Sequence, residues 1–271
     1  MSTLRYLPLA AFNGSIVATN DVKVSALSDG FMFGHGLFET IKVVGGRPVF
    51  FEDHVARLSR SAAELGLALD YNLERLRALC EKVIAANTLV DGNLKLILFQ
   101  DEGGAGEILL ARSGLYPKET YDRGFNLKTE PAGARGPLAA YKTLNYFENI
   151  AAKRRAVMAG CDEPVFVDAA GLLLEGATTN IFAVIEGRVL TPPADGRILP
   201  GVVRGQVLRS LGNRAAEKLI SLEQLHGADE VFVTNALLGV MPVARVDEQA
   251  YDAGKNPITR EIIAAIAAMT S

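Results

Sequence analysis

The chain has no tryptophan, two cysteines and three histidines. Two thiols cannot build a disulfide framework, and His35, His54 and His226 are not spaced as a ligand set. Neither cross-links nor a metal is therefore expected to hold the fold. A surplus of charge is also missing, since 28 Lys and Arg against 31 Asp and Glu leave a net charge of -3. Without a basic excess there is no global drive toward nucleic acid or an anionic membrane, and any anion must be gripped locally. No run approaches the roughly 18 consecutive apolar residues that a spanning helix needs. Residues 1–13 lack the basic-then-apolar pattern of a secretory signal. These absences describe a cytoplasmic chain with no membrane or nucleic-acid partner. What is present is 271 residues, 49% of them hydrophobic and 22% charged, enough for one large domain or two modest ones.

Glycine punctuation and changes of hydrophobic period organise the rest. Alternating and β-branched runs predict strands over residues 15–19, 22–27 and 40–44, the last turning through Gly45-Gly46 into 48–51. The period then switches. Val55, Leu58, Ala62 and Leu65, then Leu73, Leu76, Cys80 and Val83, recur at three- and four-residue steps and predict amphipathic helices over 53–66 and 72–86. Strands over 94–99 and 108–111 flank the turn-rich 101–106. Residues 113–121 are polar and aperiodic, so the boundary is placed near 118, giving an N-terminal domain of residues 1–117 and a C-terminal domain of 118–271. Beyond it, 145–159 reads as a helix with Asn145 in the capping position. The runs 164–168, 172–174, 178–185 and 188–191 read as an antiparallel meander. A helix is expected over 203–211, a capping box at Ser221-x-x-Gln224 and a strand over 230–234. Pro257 stands as the first residue of a final helix carrying Ile262, Ile263 and Ile266.

Several familiar chemistries are excluded. Gly34-His-Gly36 has Glu39 where a dinucleotide fingerprint needs its third glycine, and it leads into a strand. There is no phosphate-binding G-x-x-x-x-G-K-[ST] loop and no G-x-S-x-G elbow. His54, beside Asp53 at a helix mouth, reads as a capping or packing residue. Four segments are more informative. Lys142 lies among the apolar and aromatic residues of Tyr141-Lys-Thr-Leu-Asn-Tyr146. A lysine is ordinarily a solvated surface group, but an amine in a partly dry pocket loses its proton more readily, as a Schiff-base lysine must. Glu175 interrupts an apolar run and must be paired if buried, by an arginine or by a protonated ring nitrogen. Leu199-Pro-Gly-Val-Val-Arg204 is a turn feeding a helix, whose Val202 and Val203 N–H groups can hold a phosphate. Thr234-Asn-Ala236 offers further backbone donors, and Arg57 a charge-assisted contact.

Together these segments resemble the class IV aminotransferases, the fold-type IV enzymes that use pyridoxal 5'-phosphate. The likeness runs from Asp29-Gly-Phe-Met-Phe-Gly-His-Gly36 through Glu52-Asp-His-Val-Ala-Arg57, Lys142-Thr-Leu-Asn-Tyr146 and Leu174-Glu-Gly-Ala-Thr178 to Met241-Pro-Val243, nearly the whole chain. It implies a two-domain fold of mixed α+β and α/β class, like that of D-amino-acid aminotransferase. A small two-layer N-terminal domain would precede a larger C-terminal one with a barrel-like antiparallel sheet, the cofactor lying in the cleft between them and the chain forming a homodimer. By the same resemblance Lys142 is the Schiff-base lysine and the acid and base at the substrate's α-carbon. Glu175 pairs with the pyridine nitrogen, Tyr146 approaches the phenolic oxygen and Thr178 lies against the ring. Arg57, Val202, Val203, Asn235 and Ala236 surround the phosphate.

Within the family, the Asn235-Ala-Leu237 run before Gly239-Val-Met-Pro-Val243 looks most like 4-amino-4-deoxychorismate lyase, and Gly239 stands where a transaminase often has a Glu. The expected activity is therefore β-elimination of aminodeoxychorismate to 4-aminobenzoate and pyruvate, a step of folate biosynthesis. Branched-chain or D-amino-acid transamination is the alternative, and a catalytically silent binding role a further one. One departure stands out: after Phe99-Gln100 the chain continues Asp-Glu-Gly where relatives often have Thr-Arg-Gly. The residues that usually contact the substrate carboxylate do not match here, and an arginine from elsewhere in the chain or from a partner subunit could substitute.

Overall fold

The computed structural model describes residues 5–67, 72–132 and 136–270. The chain divides into two compact units. One comprises Met1–Tyr116, Tyr141–Asn145 and Thr270–Ser271, and the other Pro117–Ala140 and Tyr146–Met269.

The first unit contains β1 (Arg5–Phe12), β2 (Ser15–Ala18), α1 (Asp29–Met32), β3 (Gly36–Val44) and β4 (Arg47–Pro48). It continues with α2 (Phe51–Glu64), α3 (Leu73–Ala86), β5 (Gly92–Asp101) and β6 (Gly104–Ser113). Its antiparallel sheet runs β2-β1-β6-β5-β3-β4. The helical periodicity is realised: Val55, Leu58 and Ala62 of α2 and Leu76, Leu79, Cys80 and Val83 of α3 pack against Leu37, Ile41, Leu94, Leu96, Leu98 and Leu109 of the sheet. Truncating one of those buried leucines to Ala costs about 2–5 kcal/mol. Two predicted strands give way. Residues 22–27 pair with no strand among the described residues, and Ser28 instead accepts the Phe31 N–H to cap α1. The run 48–51 shortens to β4 because Phe50 turns left-handed, at φ 50°, and starts α2.

The segment Tyr141–Asn145 joins this unit by edge pairing. Leu37 and Thr143 form an isolated antiparallel bridge. The Phe38 N–H donates to the Lys142 carbonyl at 2.8 Å and the Leu144 N–H to the Gly36 carbonyl at 2.9 Å. Gly36 permits the approach, since a Cβ there would stand 2.6 Å from Leu144 Cδ1 and collide with the Leu98 carbonyl. Asn145 therefore does not cap the following helix. Its side chain donates to the Gly34 carbonyl at 3.1 Å, and Tyr146 holds the cap position without a side-chain bond.

The second unit begins with α4 (Lys118–Arg123), a helical turn inside the stretch read as linker, followed by β7 (Phe125–Pro131) and α5 (Phe147–Met158). Next come β8 (Glu163–Val167), β9 (Leu173–Gly176), β10 (Asn180–Ile185), β11 (Arg188–Thr191), α6 (Val202–Leu211) and β12 (Ala215–Glu217). It ends with α7 (Leu222–His226), β13 (Glu230–Asn235), β14 (Gly239–Val246), β15 (Gln249–Ala250) and α8 (Pro257–Ala268). The sheet order is β12-β11-β10-β13-β14-β7-β8-β9, with β15 on β14.

This sheet is mixed, whereas the sequence indicated antiparallel pairing. β7 runs parallel to both β8 and β14, and β11 parallel to β12. The parallel pairs β7–β8 and β11–β12 enclose α5 and α6, which carry the chain back as such connections require. The expected single meander divides at residues 177–179, with β8 and β9 at one end of the strand order and β10 and β11 toward the other. Both halves of the capping box are present at Ser221 and Gln224, and Pro257 opens α8, which buries Ile262 and Ile266.

Candidate active site

The edge pairing with β3 fixes the backbone of Lys142. Its side chain is half-buried, with Nζ 4.2 Å from the centroid of the Phe38 ring. A ring face attracts the ammonium form, so the amine occupies a partly dry place while keeping a weak partner for its proton.

Glu39, the next residue along β3, points to the helix side and is buried. Arg57 grips it with two bonds, Nε to Oε1 at 2.8 Å and Nη2 to Oε2 at 2.6 Å, and His54 Nδ1 lies 2.7 Å from Oε2. His54 thus packs and hydrogen-bonds rather than capping α2. Burial alone would raise the Glu39 pKa, but the charge of Arg57 and the bonds from His54 and Arg57 outweigh it and hold the carboxyl at about 2. The guanidinium of Arg57 is buried beside α2 with its orientation set by Glu39.

In the second unit the loop between β9 and β10 is the hub. Glu175 is buried at the end of β9, and its Oε2 accepts from the Leu199 N–H at 3.1 Å and from the Asn180 side chain at 3.3 Å. The Ala177 carbonyl accepts from the Tyr146 hydroxyl at 2.9 Å and from Asn149 at 2.8 Å. Thr178 is exposed, and its N–H and hydroxyl donate to Glu163 Oε1 at 2.6 and 2.9 Å, while Lys153 pairs with the other oxygen. Asn235 reaches the same loop through Nδ2 to the Thr178 carbonyl at 3.2 Å.

Two backbone donor groups lie nearby in this unit. Gly201 begins α6 with no side-chain cap, which leaves the N–H groups of Val202 and Val203 at the positive end of the helix. A Cβ on Gly201 would collide with Asn180 Oδ1, so only glycine lets the chain pass there. α6 packs on β13, whose Thr234 hydroxyl is buried and finds no partner among the described residues. The next residues, Asn235 to Gly239, make a tight hairpin. Asn235 Oδ1 accepts from the Leu237 and Leu238 N–H groups at 3.0 and 2.8 Å, and Gly239 closes the turn at φ 66°.

Of the residues singled out in the sequence, Lys142 and Arg57 belong to the first unit and Tyr146, Glu175, Thr178, Val202, Val203, Asn235 and Ala236 to the second. Sequence reasoning passed over Glu39, Glu163 and Phe38. The rule applied to Glu175, that a carboxylate inside an apolar strand needs a partner, applies equally to Glu39 and Glu163.

The sequence pattern of the family described as "Amino-transferase class IV" matches residues 36–246. The D-alanine aminotransferase of Staphylococcus epidermidis (strain ATCC 12228 / FDA PCI 1200) is 30% identical over 270 residues, which cover 92% of this chain and 93% of the relative. Among solved structures, a branched-chain amino acid aminotransferase from T.th., solved with pyridoxamine 5'-phosphate, superposes with a TM-score of 0.87 at 26% identity, covering 97% of this chain and 94% of that one. A putative 4-amino-4-deoxychorismate lyase from Legionella pneumophila superposes with a TM-score of 0.85 at 24% identity, covering 93% and 97%, a likeness of fold alone. The two-unit mixed fold is thus the fold-type IV architecture.

Proposed function

Because the chain belongs to the class IV aminotransferases, we propose that this pyridoxal-phosphate enzyme acts as a 4-amino-4-deoxychorismate lyase. The donor chemistry fits the cofactor. The uncapped start of α6 and the unmatched Thr234 hydroxyl suit a phosphate, with Asn235, Ala236 and Arg57 completing the grip. The Glu175 carboxylate, oriented by Leu199 and Asn180, suits a protonated pyridine nitrogen. Tyr146 would stand at the phenolic oxygen and Thr178 against the ring.

When bound, pyridoxal phosphate supplies an electron sink for the carbanion at a substrate's α-carbon. The protein's own part is then proton handling and orientation. Lys142 would be the residue that holds the cofactor and the group that moves the substrate's α-proton, and the Phe38 ring beneath its Nζ favours the protonated amine. The Glu175 carboxylate would favour a proton on the cofactor's ring nitrogen. In the lyase direction the proton would be taken from the ring carbon that bears the amine, the enolpyruvyl group on the adjacent carbon would leave and become pyruvate, the aromatised ring would remain as 4-aminobenzoate with its nitrogen, and no second substrate is needed.

The observation that carries the lyase reading is the 235–239 hairpin. Its tip consists of Ala236, Leu237 and Leu238, and the left-handed φ of Gly239 disfavours the Glu that transaminases often place there. A second reading, transamination of D-alanine or a branched-chain amino acid, is favoured by what the similar proteins are named. The test is to mix the enzyme with aminodeoxychorismate and, separately, with D-alanine or leucine plus 2-oxoglutarate. Pyruvate from the first mixture alone supports the lyase, and amine transfer in the second overturns it. The active species is proposed to be a homodimer, which light scattering of the purified protein checks.

A further inference from the structure

Glu163, at the start of β8, is a fully buried carboxylate to which the cofactor contacts above give no task. Val165, two residues on, is in register with Gly176 of β9, so Glu163 stands across from the 177–179 turn. Four donors converge on it: the Thr178 N–H, the Thr178 hydroxyl and the Thr179 hydroxyl reach Oε1 at 2.6, 2.9 and 3.2 Å, and the Lys153 ammonium pairs with Oε2. Lys153 also donates to the Asp162 carbonyl at 2.5 Å, a second bond that holds the ammonium in place. A Cβ on Gly176 would stand 2.9 Å from Oε1, so the glycine leaves the carboxylate its room.

These bonds set a direction as well as a position. The Thr178 N–H and the Ala177 carbonyl belong to one trans peptide, in which the two polar bonds point opposite ways. With the N–H held on Glu163, the carbonyl is turned to the other side, where the Tyr146 hydroxyl and the Asn149 side chain donate to it at 2.9 and 2.8 Å. The following carbonyl, that of Thr178, accepts from Asn235 at 3.2 Å. Tyr146, at the cap of α5, Asn149 and Lys153 succeed one another at three- and four-residue steps and so share one face of the helix. The face that meets the Ala177 carbonyl thus also supplies the cation for Glu163. An apolar side chain of similar size commonly stabilises a fold as well as a buried ion pair does. What it could not do at position 163 is orient the 177–178 peptide.

We infer that Glu163, locked by Lys153, is a positioning residue for the Tyr146 hydroxyl: it aims the 177–178 peptide, and the Ala177 carbonyl then holds Tyr146 in place for the cofactor's phenolic oxygen. This role rests on the cofactor contacts proposed above for Tyr146 and Thr178. Without the carboxylate the peptide is free to turn over, and the hydroxyl loses its acceptor, while the Lys153 side chain, 27% exposed, can turn to water.

The test compares the parent full chain with Glu163→Leu, Lys153→Met and Lys153→Arg. Pyridoxal phosphate is titrated into each while the visible band is followed, and hydrogen exchange at residues 176–180 is read by mass spectrometry without cofactor. Glu163→Leu is expected to raise the cofactor Kd about tenfold or more, the worth of one charge-assisted hydrogen bond, and to speed exchange at 176–180 while α2 exchanges as in the parent. Lys153→Met is expected to do the same to a lesser degree, and Lys153→Arg, which keeps the cation, to stay near the parent. Combined with Tyr146→Phe, Glu163→Leu should weaken binding by less than the two separate losses added together. A parent-like Kd in Glu163→Leu, even with a lowered melting temperature, overturns the role, as do unchanged exchange at the turn and losses that add in full. If Glu163→Leu does not fold, Lys153→Met decides by the same measures. A parent that develops no visible band overturns the cofactor reading itself and the role with it, so the two failures are told apart.

Discussion

Glu39 in the first unit and Glu230 in the second are both buried carboxylates, but they are satisfied differently. Glu39 is held by side chains, a bidentate Arg57 and His54. Glu230 is held by the start of a helix: Ile258 N–H at 3.0 Å, Thr259 N–H at 2.7 Å and the Thr259 hydroxyl at 2.7 Å. The first arrangement buries two opposite charges whose desolvation is recovered only while both are present. The second uses donors that α8 must leave unpaired in any case, so the fold itself supplies the partner. The same contrast separates the residues singled out in each unit: those of the first are cations, Arg57 and Lys142, whereas those of the second include the Glu175 carboxylate and the backbone donors of Val202 and Val203.

The sharpest way to break the contrast is to remove a cation that does chemistry and one that balances a charge. Lys142→Ala is expected to abolish turnover with thermal unfolding near that of the parent, because the side chain is half-buried and its ring contact is worth only about 0.5–1 kcal/mol. Turnover equal to the parent's would sink the assignment of that lysine. Glu39→Gln comes next, with an expected loss of about 3–5 kcal/mol in urea unfolding, since it strands the buried guanidinium. Glu230→Gln should cost less, about 1–3 kcal/mol, and equal losses would erase the distinction drawn between the two sites.

Arg57→Ala is expected to weaken cofactor retention, read as loss of the visible cofactor band on dialysis. In combination with Glu39→Gln its stability cost should fall below the sum of the two single changes. Acid sharpens the same point. The Glu39 pKa lies below its ordinary 4.5, at about 2, so the stability it contributes is fully present above pH 4.5 and is lost as pH falls from there toward 2. Unfolding measured across that window should be steeper in the parent than in Glu39→Gln. The smallest effect concerns Cys80. Burial, with Glu107 nearby, pushes its thiol up to about 12, so an aromatic disulfide reagent at pH 8 should leave Cys80 unmodified until the chain unfolds.

Much of this was legible in the chain because the signals are local. The periods of α2 and α3, the Ser221–Gln224 box and the glycine turn after β3 each lie within a few residues of what they specify. The strand order of the second sheet was not, since β7 meets β14 across more than a hundred residues and no short-range pattern records it. Nor was the irregular course of residues 22–27, where a strand-like alternation finds no pairing partner among the described residues. In the candidate site, Lys142 and Glu175 stood out as polar residues in apolar company. Glu39 carries the same signature, but its meaning depends on Arg57 lying one helix away, which alternation along β3 does not reveal.

Lys142 reaches the first unit on a five-residue excursion, Tyr141–Asn145, whose flanking residues on both sides belong to the second. Splitting the gene after Tyr116 would therefore yield an N-terminal piece lacking its lysine and presenting the Phe38 N–H and Gly36 carbonyl as an unprotected strand edge, a template for aggregation. The complementary piece would carry the lysine with no strand to order it. Neither half could have served as a free-standing precursor with the amine in place, and recovery of the amine's setting on mixing the two fragments would report their reassembly.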